Sequence, residues 1–239
     1  MLELKIRLHL KIFVFIAIFI LTRQIKIYGI LMLFALLHEL GHMLAGICLG
    51  FKPYSLEIMP VGLSISFKSK AENYNKKIRN GTLLTMKKMF IAMAGPLTNL
   101  LFVLIFSIFD ISFFKEEREL IIYANFLIAI FNLIPIYPLD GGRIIKEILH
   151  IFCGRKNSYI FTNKISYACI ILLTAMSSIA IFYLRNASIL VILLYLWYLV
   201  ISEDRKFNNK IQLYNRLNKL KGYSSNSIDD RMHYIRISK

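Results

Sequence analysis

With 57% of its 239 residues hydrophobic, the chain is too apolar for an ordinary soluble domain and falls among multi-span membrane proteins. Its net charge of +16 does not make it a nucleic-acid binder, because the Lys and Arg stand between apolar runs, as in membrane loops. Three dispersed cysteines, Cys48, Cys153 and Cys169, exclude a disulfide framework and a Cys-zinc motif and read as small apolar residues.

Leu2 to Lys11 alternates apolar and polar residues, the pattern of a half-buried strand. A short first span follows over Ile12 to Thr22. No small-residue cleavage site comes after it, so it reads as an anchor. Arg23 and Lys26 mark a tight outer turn. The second span, Ile27 to Leu49, holds His38-Glu39-Leu40-Gly41-His42. Helical residues four apart share a face, so two imidazoles here can take two corners of a tetrahedral zinc site. Glu39 is an acid close enough to accept a proton from a water at that site. Ionisable groups are costly inside an apolar span and mark function there.

The polar connection after this span reads as a hairpin, Tyr54 to Met59 against Leu63 to Lys68, turning at Pro60-Val61-Gly62. With the N-terminal strand it makes a small three-stranded sheet. A third span, Met89 to Phe109, contains Ala94-Gly95-Pro96-Leu97-Thr98-Asn99. Pro kinks such a helix and Gly permits close approach of a neighbour. Whether Asn99 acts directly or the stretch is only a packing kink stays open. A fourth span from Leu120 to Ile134 is broken by Pro135, Pro138, Gly141 and Gly142, with Asp140 inside the break. Ile144 to Phe152 reads as a helix lying in the interface. Ile165 to Leu184 and Ala187 to Ser202 are the fifth and sixth spans. The expected fold is a polytopic α-helical membrane protein of six transmembrane helices with a small cytoplasmic-side sheet. Residues 1–202 form the membrane domain and 203–239 a short basic tail.

Six spans put both termini on one side. Of the 30 Lys and Arg, 25 fall on that side and 5 on the other, which makes both termini cytoplasmic. His38 then lies roughly 16 Å into the membrane from outside, and Asn132 roughly 18 Å, at 1.5 Å per residue. A catalytic zinc keeps three protein ligands and one open position. His9, His150 and His233 fall in peripheral segments, which leaves Asp140 as the best candidate for the third. A turn aspartate before Gly-Gly is the alternative.

Three motifs occur in order: His38-Glu39-x-x-His42 in a second span, Gly95-Pro96-x-x-Asn99, and Asn132-x-x-Pro135-x-x-Pro138-Leu139-Asp140-Gly141. Together they resemble the site-2 protease family of intramembrane zinc metalloproteases. The six-span layout and the Asn-to-Asp spacing are similar to its stage IV sporulation protein FB type, which processes the sigma-K precursor. The resemblance covers Met1 to Ser202. It implies one Zn²⁺ held by His38, His42 and Asp140, with Glu39 as general base and Asn132 positioning substrate. It implies a membrane-associated or transmembrane protein substrate, cleaved near the cytoplasmic face, and sporulation as the setting. The expected partners are that substrate, the lipid bilayer and an inhibitory membrane partner, with no nucleic acid. The nucleotide-sensing module frequent in that type is not expected in the 37 residues after Ser202. An extended substrate could add as a strand to the edge from Leu63 to Phe67. Two readings from other classes stand beside this one, a membrane metal-ion transporter and a non-catalytic membrane scaffold. A transporter needs ligands along a path, whereas these cluster at one depth. A scaffold has no need of Glu39 between two His.

Overall fold

The apolar run that holds the two histidines folds as helix α1, Ile25–Cys48, in the computed structural model of the protein. The structure describes residues 5–8, 20, 23, 25–59, 62–68, 81–109, 115–184, 190, 193–213 and 215–216. The 24 residues of α1 reach about 36 Å at 1.5 Å per residue, enough to cross a bilayer core of about 30 Å. The helix stops where Gly50 takes φ 87°, a left-handed conformation that glycine adopts without strain. The Phe51 amide then closes back onto Gly46 O at 2.9 Å and satisfies one of the last carbonyls.

Three strands form one sheet in the order β1 (Lys5–Leu8), β2 (Lys52–Met59), β3 (Gly62–Lys68). β1 runs parallel to β2, with Lys5 opposite Ser55, and β2 and β3 form the antiparallel hairpin, with Met59 opposite Gly62. Helix α2, Gly81–Ile108, spans 28 residues with Pro96 inside it. Helix α3, Arg118–Leu133, has 16 residues. Helix α4, Asp140–Leu184, consists of two helical segments that meet at Gly154, whose φ of 75° and ψ of 170° are not helical. Residues 193–213 form helix α5.

Two apolar clusters hold these elements together. Phe34, Phe106 and Ile121 join α1, α2 and α3, with the Phe34 ring edge-on to Phe102 at 5.4 Å. Ile136, Ile170, Leu196 and Val200 bind the segment between α3 and α4 to α4 and α5. That segment is not helical, and its polar backbone must find partners inside an apolar body. The Tyr137 amide donates to Ser166 Oγ at 3.0 Å, and the Leu139 amide to Ile136 O at 2.8 Å. At the other end, Arg118 donates to Phe106 O and Ser107 O, the last carbonyls of α2. Lys26 pairs with Glu117 at 2.5 Å, and this partner holds the Glu117 carboxyl below its usual range.

The described residues do not form the expected six-span layout. Among the described residues, three helices are long and apolar enough to cross a membrane: Ile25–Cys48, Thr82–Ile108 and Asp140–Ser178. α3 spans about 24 Å, short of the bilayer core. The expected helix from Ile144 to Phe152 and the fifth span from Ile165 lie on either side of Gly154, where the backbone leaves the helical conformation and divides α4 into two helical segments. The physical reason for the short count is that α3 ends at Leu133, just before Pro135, and is too short to cross. The first expected span, Ile12 to Thr22, lies almost wholly outside the described residues. The start of the sixth does too, and α5 runs on to residue 213.

Candidate metal centre

α1 delivers His38 and His42 from one face, four residues apart, and the start of α4 delivers Asp140 to meet them. Asp140 Oδ2 lies 3.0 Å from His38 Nε2 and 3.0 Å from His42 Nε2, and the two Nε2 atoms are 3.2 Å apart. All three residues are buried, at 4%, 3% and 4% exposure, so no bulk water screens them. Asp140 is the first residue of α4, where a carboxylate meets the positive end of the helix dipole. Its other oxygen, Oδ1, faces Arg143 Nη1 at 3.5 Å, which leaves Oδ2 for the histidines.

The protons on the rings decide what this cluster can hold. His42 Nδ1 is 2.6 Å from Ile91 O, a contact that needs a hydrogen between the atoms, and a carbonyl has none to give. The ring therefore donates from Nδ1. The Gly95 amide, 3.3 Å from the same nitrogen, is only a long contact beside that bond. His38 Nδ1 likewise donates to Asn99 Oδ1 at 3.1 Å. With both Nδ1 atoms protonated, both Nε2 atoms present bare lone pairs, and they converge on each other and on a carboxylate oxygen. Three acceptors at such distances repel unless a cation sits among them. Ligands about 2.0–2.1 Å from one tetrahedral ion stand about 3.3 Å apart, close to what is seen. The cluster His38, His42 and Asp140 fits a metal ion.

α2 supplies the floor. A Cβ at Gly95 would run into the imidazoles of both His38 and His42, and one at Gly41 would meet Thr98 and Ala94 O. Glycine at these two places lets α1 and α2 approach closely enough to bury the site. On the side of Asp140, a Cβ at Gly141 or Gly142 would strike the backbone of residues 133–134 or 136. The chain between α3 and α4 therefore folds back tightly under the helix that carries the acid.

The other expected residues take distinct places. Glu39 is half-buried next to His38, more open than the three buried groups. Asn132, also half-buried, donates from Nδ2 to Ile128 O of its own helix at 3.0 Å and not to the cluster. His150 lies elsewhere, its Nδ1 3.1 Å from Thr85 Oγ1. His9 and His233 are outside the described residues. Asn99, left open in the sequence, reaches a metal-site histidine directly. The signal was there: four residues after Gly95, it shares the face of α2 that meets α1.

Comparison with known proteins agrees with this geometry. The family model for Peptidase family M50 matches residues 116–176, which cover α3, Asp140 and most of α4 but not the His-Glu-x-x-His helix. Stage IV sporulation protein FB of Bacillus subtilis is 27% identical over 144 residues, 59% of this chain and 46% of that protein. Zinc metalloprotease MJ0392 of Methanocaldococcus jannaschii is 28% identical over 175 residues, 69% of this chain and 46% of that protein. The chain thus spans less than half the length of these curated relatives. The solved structure of the site-2 protease from Methanocaldococcus jannaschii superposes with a TM-score of 0.58 at 20% identity, covering 83% of this chain and 90% of that one. The family motif lies in one half of the chain and the histidine pair in the other. The fold brings them together at one buried cluster, and the chain is similar to Peptidase family M50 over residues 116–176 and to the site-2 protease structure in fold.

Proposed function

We propose that this protein is an intramembrane zinc metalloendopeptidase that cuts a membrane-associated or transmembrane protein near the cytoplasmic face. The observation that carries the reading is the convergence of two bare Nε2 atoms and one carboxylate oxygen beside the half-open acid Glu39. His38, His42 and Asp140 would hold Zn²⁺ with one position left open. When bound, zinc polarises the scissile carbonyl and makes water acidic enough to attack near neutral pH. Glu39 accepts the proton of the attacking water and passes it to the leaving amine as the C–N bond breaks. The buried setting excludes bulk water from the rest of the cluster, and Arg143 holds Asp140 by its outer oxygen. The expected result is about one zinc per chain in purified wild type and none in a His42→Ala, Asp140→Ala double variant. Elemental analysis checks this, and full zinc retention in the double variant would overturn the ligand assignment. Ligands gathered at one buried point also favour the enzyme over a transporter, whose ligands would mark a path.

The peptide must enter as extended chain, because a helix hides its own carbonyls. β3 is an edge strand of the sheet and packs near α1, so it offers a place for strand addition. Asn132, close to the end of α3, would hold the extended backbone, since its amide both donates and accepts. To do so it gives up its bond to Ile128 O. Asn132→Ala should lose about 2–4 kcal/mol of transition-state stabilisation, roughly 10²-fold or more in rate, with zinc content and thermal stability kept. Rate and stability falling together would make it a packing residue.

A sporulation role, with the sigma-K precursor as substrate, follows from the resemblance in the sequence and from the Bacillus subtilis relative's name. For topology, Lys88, Lys146 and Arg155 gather at one end of the helices, and Lys87 there caps α1 at Leu49 O. At the opposite end Arg23, Lys26, Lys115 and Arg118 are offset by three acids, Glu116, Glu117 and Glu119. We place the basic end in the cytoplasm and, from the charge split of the sequence, both termini as well. A cysteine at position 155 should be labelled only from the cytoplasmic side and one at position 115 only from outside. The reverse pattern would invert the direction of substrate entry.

A further inference from the structure

We propose that Asn99 is a positioning residue for the metal centre, taking the Nδ1 proton of His38 so that the Nε2 lone pair stays turned toward Asp140 and His42. The inference deepens the metalloprotease reading and rests on it. Asn99 is fully buried, at 0% exposure, and its Oδ1 is 3.1 Å from His38 Nδ1. A neutral imidazole has one N–H, and it settles where an acceptor waits. At His42 that acceptor is a backbone carbonyl, Ile91 O, which no substitution removes. At His38 it is a side chain. Without Oδ1, a proton on Nδ1 would be buried with no partner. It would move to Nε2, where Asp140 Oδ2 accepts it at 3.0 Å. A proton would then occupy the direction that a metal needs, and the two would compete.

The rest of the amide supports this assignment. Asn99 Nδ2 is buried and finds no hydrogen-bond partner among the described residues, an unfavourable state for a donor. A leucine would fill the same place between apolar helices without that cost. The residue is thus kept for its acceptor. Ile91 and Asn99 stand eight residues apart on the face of α2 that meets α1, with Gly95 between them making room for both rings. One helix therefore sets the tautomer of both histidines.

The test uses the full-length protein in detergent. Zinc affinity is measured by competition with a chelator for wild type, Asn99→Leu, Asn99→Ala and Asn99→Asp. Leu and Ala should weaken zinc by about 10–100-fold, whereas Asp, which keeps an acceptor in place, should stay near wild type. A packing role predicts the opposite order, since a buried carboxylate is the worst filler and leucine the best. Nitrogen-15 NMR of His38 in the zinc-free proteins gives a second readout, independent of activity. The proton should sit on Nδ1 in wild type and on Nε2 in Asn99→Leu. The same tautomer in both, or equal zinc affinity in wild type and Asn99→Leu, would overturn the proposal. A wild type that binds no zinc at all would instead overturn the metalloprotease reading.

Discussion

Glu39→Gln should leave a folded, zinc-loaded protein that no longer cuts its substrate. The amide has nearly the shape of the carboxyl, so packing beside His38 is preserved. Glu39 is also not part of the buried trio that meets at Asp140 Oδ2. What the substitution removes is the ability to accept a proton from water and return it to the amine. General acid–base catalysis is worth about 10²–10⁴-fold, and one group serves twice here, so the loss should reach at least the upper part of that range. Cleavage of a membrane-associated substrate, read by gel after co-expression, and zinc content of the purified variant check the two halves together. Appreciable cleavage would mean that another residue takes the proton. Loss of zinc would mean that Glu39 helps to hold the site and is not only its base.

Gly95→Ala should strip the site of metal although the residue bears no ligand. Its new methyl would stand 2.6 Å from His38 Nε2 and closer still to the His42 ring, well inside contact distance. Both rings must swing away, and their Nε2 atoms can no longer meet Asp140 Oδ2 together. Overpacking of this kind costs roughly 1–3 kcal/mol in an ordinary core. Here the displacement falls on the coordinating atoms, so zinc affinity should drop by about 10²-fold or more, with proteolysis lost in step. Gly29→Ala on α1 is the control, because a Cβ there meets nothing within 4 Å. Zinc titration and thermal unfolding of both variants separate the effects. A zinc-replete Gly95→Ala protein would show that the rings have room to move.

Much of the site could be read from residue spacing, and less of the fold. His38 and His42 are fixed by helix periodicity alone, which needs no tertiary knowledge. Asp140 came from elimination and from resemblance, because no local rule links a residue 98 positions away to His42. The spacing from Gly95 puts Asn99 on the face of α2 that meets α1, but the contact of Ile91 O with His42 is not legible, since it depends on how closely α2 approaches α1. The span count failed for a simple reason. Hydropathy marks where a chain is apolar, not where the helical ladder begins and ends. α2 starts at Gly81, eight residues before the apolar run at Met89, and Lys87 in this polar first part reaches Leu49 O. In α3 the apolar run is genuine, yet its helix is only 16 residues long because Pro135 follows closely.

The separation between the ligands has a consequence for the birth of the protein. His42 and Asp140 are 98 residues apart in the chain. A ribosome adding 5–20 residues per second needs about 5–20 s to travel that distance. During this interval two histidines are already in the nascent chain, but the carboxylate that completes the trio has not been made. A partial pair holds metal weakly, so the site would stay incomplete over that interval. Activity would switch on only once α4 has been made and the non-helical segment before it has docked. The stretch between the ligands carries the hairpin, α2 and α3, so the order of synthesis alone makes Asp140 the last member of the trio to arrive.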